Sequence, residues 1–192
     1  EELPANARAY IKRVDELIYA EIAERREVGD LEEREDILSM LLQARHEEGT
    51  PMSDVELRDA LVTLLVAGHE TTVNLIANGT LALLRHPNVL DRLRHEPDLV
   101  VTLVEEVMRY DPPVQFRTRT TLAEVEAAGM IIPEGATVVL LLASGSRDPA
   151  RFPDADRFVP DREDNQHLGF GGGGPHFCLG KSLAVMEINL IF

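Results

Sequence analysis

The sequence has few groups that could crosslink the chain or bind nucleic acid. Cys178 is the only cysteine among 192 residues, which excludes an intrachain disulfide and a Cys-x-x-Cys zinc or redox site and is typical of a reducing cytoplasm. Basic residues are scarce, because 19 Lys and Arg stand against 34 Asp and Glu, a net charge of −15. Such a charge repels phosphate backbones and anionic lipids, so neither a nucleic acid nor a membrane is an expected partner.

The sequence also lacks a long apolar run and an initiator methionine. No uninterrupted apolar run approaches the roughly 18 residues of a spanning helix, and Glu1 and Glu2 stand where a signal peptide would carry basic residues. A chain that begins without Met is expected to be a segment of a longer protein. Apolar residues make up 44% and charged residues 28%, which indicates a folded domain or a large piece of one rather than disorder.

Hydrophobic periodicity predicts a mainly α fold with a small β portion, in one partial domain. Ser53 and Glu56 form a capping box that begins a helix able to run until just before Pro87. Six consecutive parts are predicted: two amphipathic helices over 1–52, a long helix over 53–86, short helices over 87–113, a small sheet over 114–145, an irregular meander over 146–168, and a loop with a final helix over 169–192.

A glycine-rich segment places the thiol of Cys178 at the beginning of the final helix. The helix dipole and free N–H groups favour an anion there, so we expect a lowered thiol pKa and a thiolate. The glycines of residues 171–174 permit a flat group to lie against the backbone, with Phe170 and Phe177 as apolar cover. The alternative is a flexible loop beside a buried, inert cysteine. A phosphate-binding loop is disfavoured, because Lys181-Ser182 follows the last glycine too late.

The long helix carries an acid and a hydroxyl in an apolar surrounding. Residues 64–67 are apolar on every helix face, so we expect this part of the helix to be buried. Burial of the Glu70 carboxylate is costly unless it is paired or hydrated, and Gly68 and Thr71 can weaken the helix, so a local opening is predicted beside it. The alternative is that Glu70 reaches solvent on a polar stripe.

Four motifs, in this order, resemble those of the cytochrome P-450 family of haem-thiolate monooxygenases. The family's oxygen-binding helix carries Ala/Gly-Gly-x-Asp/Glu-Thr, similar to residues 67–71, and its Glu-x-x-Arg helix is similar to residues 106–109. Its Pro-x-Arg-Phe meander is nearly matched by residues 155–158, and its haem loop, Gly-x-x-x-Cys-x-Gly, is matched by residues 174–180. The resemblance covers nearly the whole chain and about the C-terminal half of a soluble bacterial member, which implies the haem-binding part of that fold, truncated at both ends.

The resemblance implies that haem b, iron protoporphyrin IX, is the cofactor and that Cys178 is its axial thiolate and only protein metal ligand. Glu70 and Thr71 would be catalytic and deliver protons on the oxygen side, while Ala67 and Gly68 let the helix pass close to the porphyrin. Six further cofactor-binding residues are implied: Arg119, Phe170, Gly174, His176, Gly180 and Ala184. Of these, Arg119 and His176 would be the partners of the haem propionates. Glu106, Arg109 and Arg157 would form the family's buried ionic triad.

Three positions depart from the family pattern. Phe170 lies one residue farther from Cys178 than is usual in the family, because four glycines stand where three are usual, and this predicts a stretched loop. Ala155 replaces the proline of the meander motif, and Val185 stands where related bacterial sequences commonly have arginine. The packing of the meander and of the final helix could therefore differ from that of the family.

The function implied by the resemblance is insertion of one oxygen atom from O2 into a small organic substrate. No nucleotide-binding fingerprint is present in the sequence, so electrons would come from NAD(P)H through a ferredoxin or flavoprotein reductase in the cytoplasm. The alternative is a truncated or degenerate haem-binding protein, or a non-catalytic acidic helical interaction module. The 192 residues alone are expected to be inactive, because the apolar helix would lack part of its cover.

Overall fold

A computed structural model describes residues 4–192, and it confirms the predicted mainly α fold with a small β portion. Seven α-helices lie within these residues: α1 Ala5–Val28, α2 Ile37–Gln43, α3 Asp54–Arg85, α4 Pro87–His95, α5 Val100–Tyr110, α6 Leu142–Gly145 and α7 Lys181–Ile191. Four short strands follow α5: β1 Arg117–Thr120, β2 Val125–Ala127, β3 Met130–Ile132 and β4 Thr137–Leu140. The chain divides into two compact units, one ending at Ala67 and the other spanning Gly68–Phe192.

The N-terminal unit consists of α1, α2 and the first turns of α3. Ile18 and Ile22 of α1 and Leu57 of α3 form its small core. Asp36 caps α2 by accepting a hydrogen bond of 2.9 Å from the backbone N–H of Ser39, which holds the pKa of this carboxyl below its usual value. Helix α2 is therefore anchored at its first turn by the residue that directly precedes it.

Helix α3 begins with the predicted capping box. The backbone N–H of Ser53 donates to a Glu56 carboxylate oxygen at 2.7 Å, and the N–H of Glu56 donates back to the Ser53 hydroxyl at 3.3 Å. Two of the donors that a helix N-terminus leaves without intrahelical partners are satisfied in this way. The helix then continues through residue 85 without a break.

The middle of α3 is exposed, contrary to the expectation that it is buried. Leu57 belongs to the N-terminal core and Leu75 to the C-terminal core, and the turns between them are left uncovered. Leu65 and Val66 are each 65% exposed. By length and composition alone α3 could cross a membrane, since an 18-residue window within it has a mean hydropathy of 1.4, although polar residues interrupt its apolar run. The core helix of a soluble protein can have the same length and composition, so these two properties alone do not indicate a membrane span.

The C-terminal unit is centred on α5. Leu103, Val104 and Val107 are almost completely buried, and Leu75 of α3 and Ile188 of α7 pack in the same core. Their spacing on α5 places them on one face, which is what an amphipathic helix needs to form such a core. The buried face of α5 also carries the charged residues described below.

The β portion consists of two separate antiparallel pairs. Strand β1 pairs with β4, with Arg117 opposite Leu140, and β2 pairs with β3 in the hairpin enclosed between them. The hairpin turns at Ala128 and Gly129, whose φ angles are +50° and +75°. Positive φ at both central residues is what a type I′ turn requires.

Candidate functional site

The glycine-rich loop brings its two ends together at Cys178. All four glycines of residues 171–174 have positive φ, from +70° to +101°, a conformation that L side chains rarely adopt. The backbone N–H of Cys178 then donates to the carbonyl of Phe170 at 3.0 Å. The extra glycine is thus accommodated within the loop, and the thiol of Cys178 is left exposed.

The two phenylalanines of the loop lie near Lys181, the first residue of α7. Phe170 is buried, whereas Phe177 is only partly covered, and their ring centroids are 6.4 Å apart. The Lys181 ammonium lies 4.9 Å from the Phe170 ring centroid, close enough for a cation–π contact. Gly180 precedes α7 directly, and its carbonyl accepts from the N–H of Ala184 at 2.9 Å.

The acid and hydroxyl of α3 lie in regular helix. Residues 67–72 are helical throughout, so the predicted local opening is not seen. The reason is that a single glycine weakens a helix by only about 1 kcal/mol, which the long flanking turns tolerate. Glu70 is exposed and Thr71 half-buried, in agreement with the alternative that Glu70 reaches solvent. Ala67 and Gly68 are exposed, and no atom lies within 4 Å of where a Cβ of Gly68 would be.

Glu106 and Arg109 form a buried, bidentate ion pair on α5. Their nitrogen–oxygen distances are 2.8 and 2.9 Å, and both side chains are completely buried. The remaining guanidinium N–H groups donate to the carbonyls of Ser146, Ala155 and Arg157 at 2.7 to 3.0 Å. Ala155 thus contributes through its backbone, so its replacement of proline does not remove the contact.

The third member of the predicted triad is wrong. The Arg157 side chain is 73% exposed and pairs with Asp154 at 3.2 Å, so only its backbone carbonyl reaches Arg109. Arg162 instead lies 3.2 Å from the Glu106 carboxylate, with 9% of its side chain exposed. The meander motif predicted Arg157 because Phe158 follows it directly. The direction of each arginine side chain, however, depends on the turns of the meander, which have no sequence periodicity.

Glu105 holds a second polar cluster that the sequence reasoning missed. Its carboxylate lies 2.8 Å from Nε2 of His167 and 3.1 Å from Nζ of Lys181. The hydrogen bond from His167, together with Lys181, holds the pKa of Glu105 below its usual value despite partial burial. The three residues are far apart in sequence and follow no motif. The neighbouring Glu-x-x-Arg pattern was therefore the only sequence feature that could have drawn attention to Glu105.

Arg119 and His176 lie on different elements of the C-terminal unit. Arg119 is an exposed residue of β1, and its guanidinium donates to the carbonyl of Thr118 at 2.8 Å. His176 is exposed on the loop, two positions before Cys178. Val185 packs, partly buried, against the core, so an apolar residue is accommodated there.

The loop fits a haem in the chemistry of its donor and in the space around it. Among the described residues, no group of three or more His, Cys, Asp or Glu side chains is placed to hold a metal ion alone. An exposed thiol suits an iron whose other ligands come mainly from a macrocycle. Gly173, Gly174 and Gly180 have open space where a Cβ would be, so a flat group can approach the backbone.

Comparison with known proteins agrees with this geometry. The cytochrome P-450 family model matches residues 3–192. The chain is 46% identical over 157 residues to the cytochrome P-450 monooxygenase PikC of Streptomyces venezuelae, which covers 81% of this chain and 38% of PikC. It is 43% identical to the biotin biosynthesis cytochrome P-450 of Bacillus subtilis, over 82% of this chain and 39% of that protein.

A solved structure shows the same fold. A Bacillus megaterium cytochrome P-450 in complex with testosterone superimposes with a TM-score of 0.87 at 37% identity, covering 94% of this chain and 48% of that one. The chain therefore spans less than half the length of these three relatives.

Proposed function

Because this chain belongs to the cytochrome P-450 family, we propose that it is the haem-binding part of a monooxygenase that inserts one atom of O2 into a small organic molecule. The observation that carries the proposal is Cys178, an exposed thiol whose backbone N–H is fixed to the Phe170 carbonyl at 3.0 Å by a loop of positive-φ glycines. Such a loop presents a single sulfur donor beside open backbone.

Haem b would be held mainly by residues of the C-terminal unit. Cys178 would hold the iron through its thiolate, with Phe170, Gly174, Gly180 and Ala184 beside it. Arg119 and His176 would donate charge-assisted hydrogen bonds to the propionates. When bound, a thiolate-ligated haem supplies activation of dioxygen.

The oxygen side would be served by residues of α3. The Thr71 hydroxyl can donate and accept a hydrogen bond, and the Glu70 carboxylate can exchange a proton with water, since it is exposed. Together they would carry protons from solvent to the reaction site. Ala67 and Gly68 offer little side-chain bulk, so a flat cofactor could lie close to the helix there.

The reaction requires two electrons that the chain's own motifs do not supply. One O2, one substrate, NAD(P)H and a proton would give hydroxylated substrate, water and NAD(P)+. A ferredoxin or flavoprotein reductase would carry the electrons, and the cytoplasm, where the single cysteine stays reduced, would be the compartment.

The test is the carbon monoxide spectrum of the reduced, haem-loaded protein at full length, since the 192 residues alone are expected to be inactive. We expect the strongly red-shifted Soret band of a thiolate-ligated haem, and we expect Cys178→Ser to lose that band and all product formation, because an alcohol is a poor substitute for a soft anionic donor. A red-shifted band without product would favour a haem-binding protein without turnover. An unshifted band, or turnover retained in Cys178→Ser, would overturn the ligand assignment.

A further inference from the structure

The segment that presents Cys178 has little direct packing on one side. Gly172, Gly173 and Phe177 line a cavity of about 520 Å³ together with Glu105 and Lys181. The Lys181 ammonium lies 6.0 Å from the Phe177 ring centroid. A loop that borders open space gains little from packing on that side, so the contacts at its two ends contribute more to its position.

Both ends of the loop are attached to one carboxylate. His167 immediately precedes the loop and bonds Glu105 at 2.8 Å, while Lys181, the first residue of α7, lies 3.1 Å from the same carboxylate. His167 has 3% of its side chain exposed, so its ring is shielded from competing water. Glu105 thus connects the chain before the loop with the chain after it.

The attachment through His167 continues to the residue bonded by Cys178. Nδ1 of His167 accepts from the N–H of Gly169 at 3.0 Å, which leaves Nε2 as the donor to Glu105. Gly169 is fixed tightly, since an added Cβ would lie 2.8 Å from the Met108 carbonyl. The next residue, Phe170, accepts the hydrogen bond from Cys178.

The attachment through Lys181 reaches Cys178 from the other direction. The backbone N–H of Lys181 donates to the Cys178 carbonyl at 3.4 Å, and its ammonium lies over the ring of Phe170. Glu105 itself is held on a rigid helix, because its neighbours Val104 and Glu106 are both completely buried. The two routes therefore begin on a fixed support and meet at the cysteine.

We propose that Glu105 is a positioning residue that fixes the loop carrying Cys178, through His167 at one end and Lys181 at the other, and thereby keeps the thiolate on the iron. This inference rests on the proposed function, since it assumes that Cys178 binds haem. Glu105 does not contact the thiol itself. Its removal would free both ends of the loop while leaving the Glu106–Arg109 pair intact.

The test uses the full-length protein, reduced and bound to carbon monoxide. The measured quantity is the rate at which it loses the red-shifted thiolate band in dilute denaturant. We expect Glu105→Ala to accelerate this loss about tenfold, as expected for removal of partly exposed charge-assisted hydrogen bonds. Glu105→Gln and Lys181→Gln should each accelerate it about threefold, because an oxygen of residue 105 still accepts from His167 in both variants but the ion pair with Lys181 is gone. Rates are compared where far-ultraviolet circular dichroism shows equal folded fractions.

Matched controls are present in the chain. Glu163→Gln changes an exposed carboxylate of the meander, and Lys12→Gln changes the only other lysine, so both should leave the rate unchanged. If Glu105→Ala and Glu105→Gln lose the band at the wild-type rate, or only in step with helix content, the positioning role is wrong while the proposed function stands. If the wild type never shows the band, the proposed function fails and this inference fails with it.

Discussion

Helix α5 buries charge, whereas the middle of helix α3 exposes apolar side chains. Glu106 and Arg109 are completely buried and pair with each other, and their other hydrogen-bond partners come from the meander that follows in the chain. Leu65 and Val66 are 65% exposed and have no comparable cover. The difference shows that the buried charges of α5 find their partners within residues 68–192, while Leu65 and Val66 present apolar surface that a folded protein normally covers.

A large loss of stability is expected for Arg162, which pairs with Glu106 in the place that the sequence assigned to Arg157. Arg162→Ala should cost about 1–3 kcal/mol of unfolding free energy, because Glu106 loses a buried charged donor and the Pro153 carbonyl loses its bond of 2.6 Å. Arg157→Ala should cost no more than about 0.5 kcal/mol, since its side chain is exposed. Urea unfolding of both variants measures the contrast, and equal losses would restore the original triad.

Local sequence patterns predicted elements whose determinants are close in sequence. The capping box of Ser53 and Glu56 predicted the beginning of α3, and the observed helix indeed follows it. Helix α2 occupies only seven residues of the predicted region 1–52, since it ends at Gln43 and the chain turns back so that Arg45 pairs with Pro51. Gly49, with φ of +82°, permits that turn, and a bridge of this kind leaves no periodic signal.

Contacts between distant segments were harder to predict from the same sequence. Glu105, His167 and Lys181 meet only because α5, the meander and α7 are brought together by the core of the C-terminal unit. The order of strands was also unpredicted, because pairing β1 with β4 around the β2–β3 hairpin depends on which strands lie close in space. The loop residues could be proposed from sequence because glycine and cysteine act there through their own local chemistry.

The next effect concerns the coupling of NAD(P)H consumption to product formation, which we expect to depend on Thr71. Thr71→Ala should keep the fold and the haem, because Thr71 lies half-buried in regular helix, where alanine is a better helix former. Loss of the hydroxyl should lower product formed per NAD(P)H consumed by severalfold, about what one proton-transferring group contributes at the low end. The missing electrons would appear as hydrogen peroxide, formed from O2, two electrons and two protons. An unchanged product ratio would remove Thr71 from the proton path.

A smaller effect concerns the acid dependence of the Glu105 cluster. The pKa of Glu105 is lowered on folding, first by the hydrogen bond from His167. A lowered folded pKa stabilises the protein above the unfolded value of about 4.5, and this stabilisation is lost as pH falls through the folded pKa. The stability difference between wild type and Glu105→Gln should therefore be complete at neutral pH and shrink below about 4.5. A difference that grows on acidification would reverse the sign of the shift.

The smallest effect belongs to the exposed middle of α3. Leu65→Ser should change the unfolding free energy of this chain by no more than about 0.5 kcal/mol, because a side chain that is 65% exposed has little contact to lose. The same substitution at Leu103, which is completely buried, should lower the unfolding free energy by about 2–5 kcal/mol, the usual loss for truncating a core leucine. Leu65→Ser should also reduce binding of a hydrophobic dye, since it removes part of an exposed apolar surface. If Leu65→Ser instead costs as much as the Leu103 variant, then α3 is covered in solution, and the contrast between the two helices disappears.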